Sequence, residues 1–146
     1  MERSRRSPGC LQLCGEFGAE RRWVIEGVVN SSYEAIVALS LRGPDGDARD
    51  IEAVIDTGYN GFLTLPPRLV AELRLQFVTS AQAILANGSE ETFDVHSVTV
   101  LWDSHPVAVD AYASDTTPLV GMRLLDQCDV YVQVRDGGRV LIETSN

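Results

Sequence analysis

Residues 53–67 read AVIDTGYNGFLTLPP, and this stretch decides the fold. Ile51, Ala53 and Ile55 alternate with Glu52 and Val54, which predicts a strand running up to Asp56. Asp56-Thr57-Gly58 is a turn triplet that carries a carboxylate. A second apolar run, Phe62-Leu63-Thr64-Leu65, follows at once and stops at Pro66-Pro67. A polar hairpin would explain a surface Asp-Thr-Gly, but this one has apolar sequence on both sides. Burying a carboxylate costs several kcal/mol unless its charge is shared or hydrogen-bonded, so the position asks for a chemical reason.

Downstream, Pro67 suits the first turn of a helix, and Leu69, Val70 and Leu73 keep helical spacing, predicting a short helix over about 67–75. Phe77 to Leu85 returns to strand character. Asn87-Gly88 predicts a hairpin with a type I′ turn, since both residues tolerate positive φ. On the returning arm Val98, Val100 and Trp102 share a face, and Val107, Val109 and Ala111 alternate after the next turn. Gly121 to Gln127 reads as one or two helical turns, and a hairpin over 130–142 closes the chain. Upstream, 23–29 and 33–41 read as strands, with Gly43-Pro44-Asp45-Gly46-Asp47 turning the chain back toward Asp56. About eight short strands and two short helices predict a small closed or folded-over β architecture. Met1 to about Arg22 is rich in Arg, Ser and Gly without a sustained period and is expected to be a disordered tail, so the domain is 23–146.

Two motifs together resemble a known family. Ala53-Val54-Ile55-Asp56-Thr57-Gly58 resembles the active-site signature of aspartic proteases. Pro118-Leu119-Val120-Gly121-Met122-Arg123-Leu124-Leu125 resembles the segment that opens the late helix of the single-domain, retroviral-type members, with Leu119, Val120 and Gly121 as its motif. The resemblance spans about Trp23 to Glu143 and is closest to bacterial and archaeal retropepsin-like proteases. It implies a mainly β fold, a small closed β-barrel, and an aspartic endopeptidase that cuts a peptide or protein substrate without cofactor or metal. Asp56 would be the catalytic carboxylate, with Thr57 and Gly58 supporting its loop. The hairpin at Ala86-Asn87-Gly88 resembles the flap that closes over a bound peptide. Tyr59 departs from the small residue usual after the glycine and would touch substrate or reshape the cleft.

Carboxylate-driven hydrolysis needs a pair, one ionised to activate water and one protonated to polarise the carbonyl. The chain holds a single Asp-Thr-Gly; Asp115-Thr116-Thr117 lacks the glycine. A two-fold homodimer would complete the pair. The alternative is a dimeric peptide-binding or regulatory module that keeps the fold and cuts poorly; a third reading is a β-barrel interaction domain with no dyad.

Composition narrows the partners. The 146 residues carry a formal net charge of −9, and all twelve basic residues are Arg. Five of these lie within 1–22, and the rest of the chain holds seven Arg against eighteen acidic side chains. Such a surface repels phosphate backbones, which argues against nucleic-acid binding. No run approaches the roughly 20 apolar residues of a membrane helix. Cys10, Cys14 and Cys128 fit no zinc spacing and read as reduced thiols of a cytoplasmic protein, Cys128 buried as a small hydrophobe. Asp103-Ser104-His105 contains triad residue types, but neighbours on one turn cannot adopt triad geometry. His96 is in register with Val98 and Val100 and is expected to be a satisfied histidine at the edge of the core.

Overall fold

A computed structural model describes residues 24–102 and 105–144. The expected tail over 1–22, Trp23, Cys10, Cys14, Asp103 and Ser104 lie outside the described residues. The protein is mainly β. In chain order the elements are β1 (Val24–Val29), β2 (Ala35–Arg42), β3 (Ala48–Ile55), β4 (Leu63–Leu65), α1 (Pro67–Glu72), β5 (Gln76–Ile84), β6 (Glu90–Trp102), β7 (His105–Ala113), β8 (Leu119–Val120), β9 (Cys128–Val132) and β10 (Arg139–Thr144).

The strands form one sheet in the order β5-β6-β7-β4-β8-β3-β2-β1-β10-β9. β2 also pairs with β6, so the path from β6 through β7, β4, β8, β3 and β2 returns to its start. β2 can serve both neighbours because it divides its length: Ala35–Val37 meet β1 and Ser40–Arg42 meet β6. Inside this circuit the period-2 alternation places Val37, Leu39 and Leu41 of β2 against Val98, Val100 and Trp102 of β6, Val109 and Ala111 of β7, and Val120 of β8. Each fully buried aliphatic side chain of this kind contributes about 1.5–3 kcal/mol. β1, β10 and β9 extend the sheet beyond β2, with Val140 and Ile142 joining the same core.

α1 starts where the Pro-Pro step predicts it, with Pro66 as its cap residue and Pro at the first turn. It buries Leu69 and Val70 and is shorter than expected, since Leu73 already closes the last turn.

The second expected helix does not form: 122–127 is a run of turns. Its opening N–H groups are committed elsewhere, Gly121 to Phe62 O, Met122 to Tyr59 O and Arg123 to Gly61 O, at 3.0, 2.8 and 3.1 Å. What remains closes as three-residue steps, such as Leu124 N–H to Gly121 O at 3.2 Å and Cys128 N–H to Leu125 O at 2.9 Å. Gln127 ends the segment with φ of 69°. Leu119 and Val120, read as the lead-in to that helix, are instead β8, a two-residue strand between β3 and β4.

The hairpin between β5 and β6 sits where Asn87-Gly88 predicts it, but its turn differs. Gly88 has φ of 86° while Asn87 is not left-handed. Gly88 N–H donates to Leu85 O at 2.9 Å, and the Asn87 side chain accepts from Ser89 N–H, also at 2.9 Å. This is an ordinary turn followed by a left-handed glycine, the next commonest hairpin geometry after the two-residue types. Cys128 packs on the core but is half-buried rather than fully buried. Burial first, then Asp129 and Asp126, push its thiol pKa up, against a hydrogen bond with Trp102 that lowers it.

Candidate active site

β3 ends just before Asp56, beside a run of two parallel pairings and one antiparallel pairing. β3 runs parallel to β8, β8 antiparallel to β4, and β4 parallel to β7. Thr64 is the one buried polar residue recorded among the described residues, and it lies inside this arrangement. Its Oγ1 accepts the Leu119 N–H at 2.9 Å, fixing β8 against β4 where the ladder is only two residues long. The signal for it in the sequence is slight: a hydroxyl residue within the apolar run 62–65.

The carboxylate turn is held by its own backbone. Asp56 N–H donates to Val120 O at 2.9 Å, and Tyr59 N–H donates back to Asp56 O at 3.1 Å. Asp56 Oδ1 accepts Gly58 N–H at 2.9 Å, the local geometry that makes Asp a turn former. Asp56 is half-buried, while Thr57 and Gly58 are exposed. In the single chain the triplet is therefore a surface feature rather than the floor of an apolar cleft.

Tyr59 folds back over the loop. Its ring lies edge-on to Tyr112, centroids 6.3 Å apart, and its hydroxyl donates a long hydrogen bond of 3.4 Å to Leu63 O. Burial, and secondarily the Tyr112 phenol, push its pKa up to about 12. Two glycines make room for it. A Cβ on Gly121 would come within 2.6 Å of Tyr59 Cδ2 and fall on the Gly61 carbonyl, and one on Gly61 would come within 2.8 Å of Tyr59 Cε1. The large residue after Gly58 is thus accommodated within its own chain, and Gly121 has a packing role that does not depend on a helix.

A groove of about 460 Å³ opens beside the turn. It is lined by Gly58 to Phe62, by Ala83 and Ile84 of β5, by Asp110 and Tyr112 of β7, and by Arg123. Asp56 does not line it, nor do Ala86, Asn87 and Gly88, which are exposed at the tip beyond Ile84. The sequence reading missed Asp110, Tyr112, Phe62, Ile84 and Arg123. Asp110 and Tyr112 were legible as the outward face of β7, opposite buried Val109 and Ala111. Arg123 lies over the Phe62 ring at 6.0 Å.

His96 is not satisfied as expected. It is half-buried and edge-on to Phe77 at 5.7 Å, but its buried Nδ1 has no hydrogen-bond partner. It lies on the opposite face of β6 from Val95, which sits across from Tyr112, and so outside the groove. Among the described residues no group of three or more His, Cys, Asp or Glu side chains is placed to hold a metal ion, and no helix is long and apolar enough to cross a membrane.

The fold has a counterpart among solved structures. The chain is similar to a retropepsin-like aspartic protease from Rickettsia conorii, with a TM-score of 0.51 over 86% of this chain and 94% of that one, at 11% identity. No family model and no curated protein matches the sequence. The likeness is one of fold, and within it the chain has an Asp-Thr-Gly turn of its own.

Proposed function

We propose that this chain is a retropepsin-like aspartic endopeptidase that works as a homodimer, with Asp56 from each protomer forming the catalytic pair. The observation that carries the reading is the Asp56 turn: a backbone N–H tied to Val120 O, a carboxylate that accepts Gly58 N–H, then exposed Thr57 and Gly58, in a fold like that of a retropepsin-like protease. The closed circuit of strand pairings supports the barrel form of that fold. Exposure of Thr57 and Gly58 is what a two-fold contact through this turn requires, because the same patch must meet itself. In the pair, the ionised Asp56 takes a proton from water as the water oxygen attacks the scissile carbonyl carbon. The protonated Asp56 gives its proton to the carbonyl oxygen; the C–N bond then breaks as the first Asp56 passes its proton to the leaving nitrogen and the second takes one back from an adduct hydroxyl, releasing acid and amine. The β5–β6 hairpin would serve as the flap, with Ile84 reaching toward the bound peptide and Ala86-Asn87-Gly88 as its pliant tip.

The test joins assembly to activity. Sedimentation should give a dimer, and Asp56→Asn should keep that dimer while cleavage of a peptide library falls by about 10²–10⁴-fold. Cleavage that survives Asp56→Asn would remove the carboxylate from the chemistry. A dimer that binds peptides and never cuts them would leave a peptide-binding module of the same fold.

A further inference from the structure

We infer that Asp110 is the recognition group of a substrate subsite that selects a basic side chain, Lys or Arg. The inference rests on the reading of the groove as a peptide site and adds the class of peptide. Asp110 lies on the outward face of β7 beside Tyr112, and both line the groove that Gly58 and Tyr59 open onto. Its side chain is exposed and takes part in no hydrogen bond or ion pair among the described residues. The groove's other charge, Arg123, lies over the Phe62 ring, 6.0 Å from its centroid. The remaining walls are aromatic or aliphatic: Tyr59, Tyr112, Ala83 and Ile84. That combination suits a long aliphatic stem ending in a cation, the stem lying on Ile84 and Tyr112 and the head meeting Asp110. The formal charge of −9 over the whole chain biases encounter in the same direction.

The experiment uses the full-length protein and two labelled peptides of alanine and leucine, identical except for one central lysine or glutamate. Binding to Asp56→Asn is read by fluorescence anisotropy, and cleavage by the unmodified protein is read by mass spectrometry. The lysine peptide should bind more tightly, and Asp110→Asn should weaken it by about fivefold, the scale of a solvent-exposed charge pair. Asp110→Lys should turn the preference toward glutamate. Asp94→Asn is the control: it removes the same charge from β6 on the face opposite Val95, and should leave the ratio unchanged. Equal affinity for the two peptides overturns the inference. So does a lysine preference that Asp110→Asn does not alter, or one that Asp94→Asn lowers as much. If the lysine preference depends on Asp110 but the unmodified protein cuts neither peptide, the subsite stands and the endopeptidase reading falls.

Discussion

The carboxylate turn and the β5–β6 hairpin border one groove, yet they are built in opposite ways. The turn is tied to sequence far away: the carbonyls of Tyr59, Gly61 and Phe62 accept the N–H groups of Met122, Arg123 and Gly121, and Asp56 N–H donates to Val120 O. The hairpin is tied mainly to itself. β5 is a sheet edge, Gln76 to Ser80 are all exposed, and the tip is closed by Leu85 N–H to Ser89 O and Gly88 N–H to Leu85 O. Long-range backbone bonds fix atoms that must keep a geometry, whereas an edge hairpin with local bonds opens at low free-energy cost. The endopeptidase proposed above would need both, one to hold the carboxylate and one to admit and cover the substrate.

The harshest way to break this contrast is Gly121→Ala. The new methyl would fall on the Gly61 carbonyl and press Tyr59 Cδ2 at 2.6 Å, so backbone must move in the segment that the turn hangs on. Overpacking of this kind should cost about 3 kcal/mol in urea unfolding. A loss below about 1 kcal/mol would mean that the turn yields and is not the rigid half of the pair.

Gly88→Ala applies a milder strain to the other half. Gly88 has φ of 86° and nothing within 4 Å, so the cost is backbone conformation alone, about 1 kcal/mol. Amide exchange should quicken at Leu85, and at position 88 once corrected for the residue's intrinsic rate, and stay unchanged at Asp56 and Met122. Equal acceleration at all four would show that the hairpin and the turn open as one unit, and the contrast would be wrong.

The same division explains what the sequence made readable. Elements made by local chemistry were legible. Alternation at Ile51, Ala53 and Ile55 marks β3, Pro66-Pro67 marks the start of α1, and Asn87-Gly88 marks the hairpin. The turn type there was not, because Asn87 spends its side chain on Ser89 and leaves the left-handed position to Gly88 alone. Long-range ties were invisible. Gly121 to Gln127 has a helical composition, but its first N–H groups are taken by carbonyls some sixty residues earlier, a competition that no local window contains. β8 was hidden for the same reason, being two residues long and defined only by its neighbours β3 and β4. Of the candidate site, Asp56, Thr57 and Gly58 could be read from spacing. Asp110 could not, since an acidic residue on an outward strand face looks like any solvated one until the groove beside it is seen.

The smallest expected effect is the most local test of how closely Tyr59 is packed into the fixed half. Its phenol is pushed from 10.0 up to about 12, first by burial and then by Tyr112. A folded-state pKa above the unfolded one means that the folded protein holds the proton more tightly. The associated stability is complete below pH 10.0 and is lost as pH rises toward about 12, because the unfolded chain ionises first. The ring is only partly buried, so solvent screening keeps the effect small. Tyr59→Phe has no proton to lose there. Its hydroxyl bond to Leu63 O is long, at 3.4 Å, so below pH 10.0 the two proteins should differ in stability by no more than about 1 kcal/mol. Between pH 10.0 and about 12 the denaturant midpoint of the unmodified protein should fall more steeply than that of Tyr59→Phe. Tyr33 and Tyr131 are common to both proteins, so the difference between the curves reports Tyr59 together with its coupling to Tyr112. Parallel curves would mean that Tyr59 stands in water with an ordinary phenol. The glycines at 61 and 121 would then have no ring to accommodate, and the turn would be looser than its backbone bonds imply.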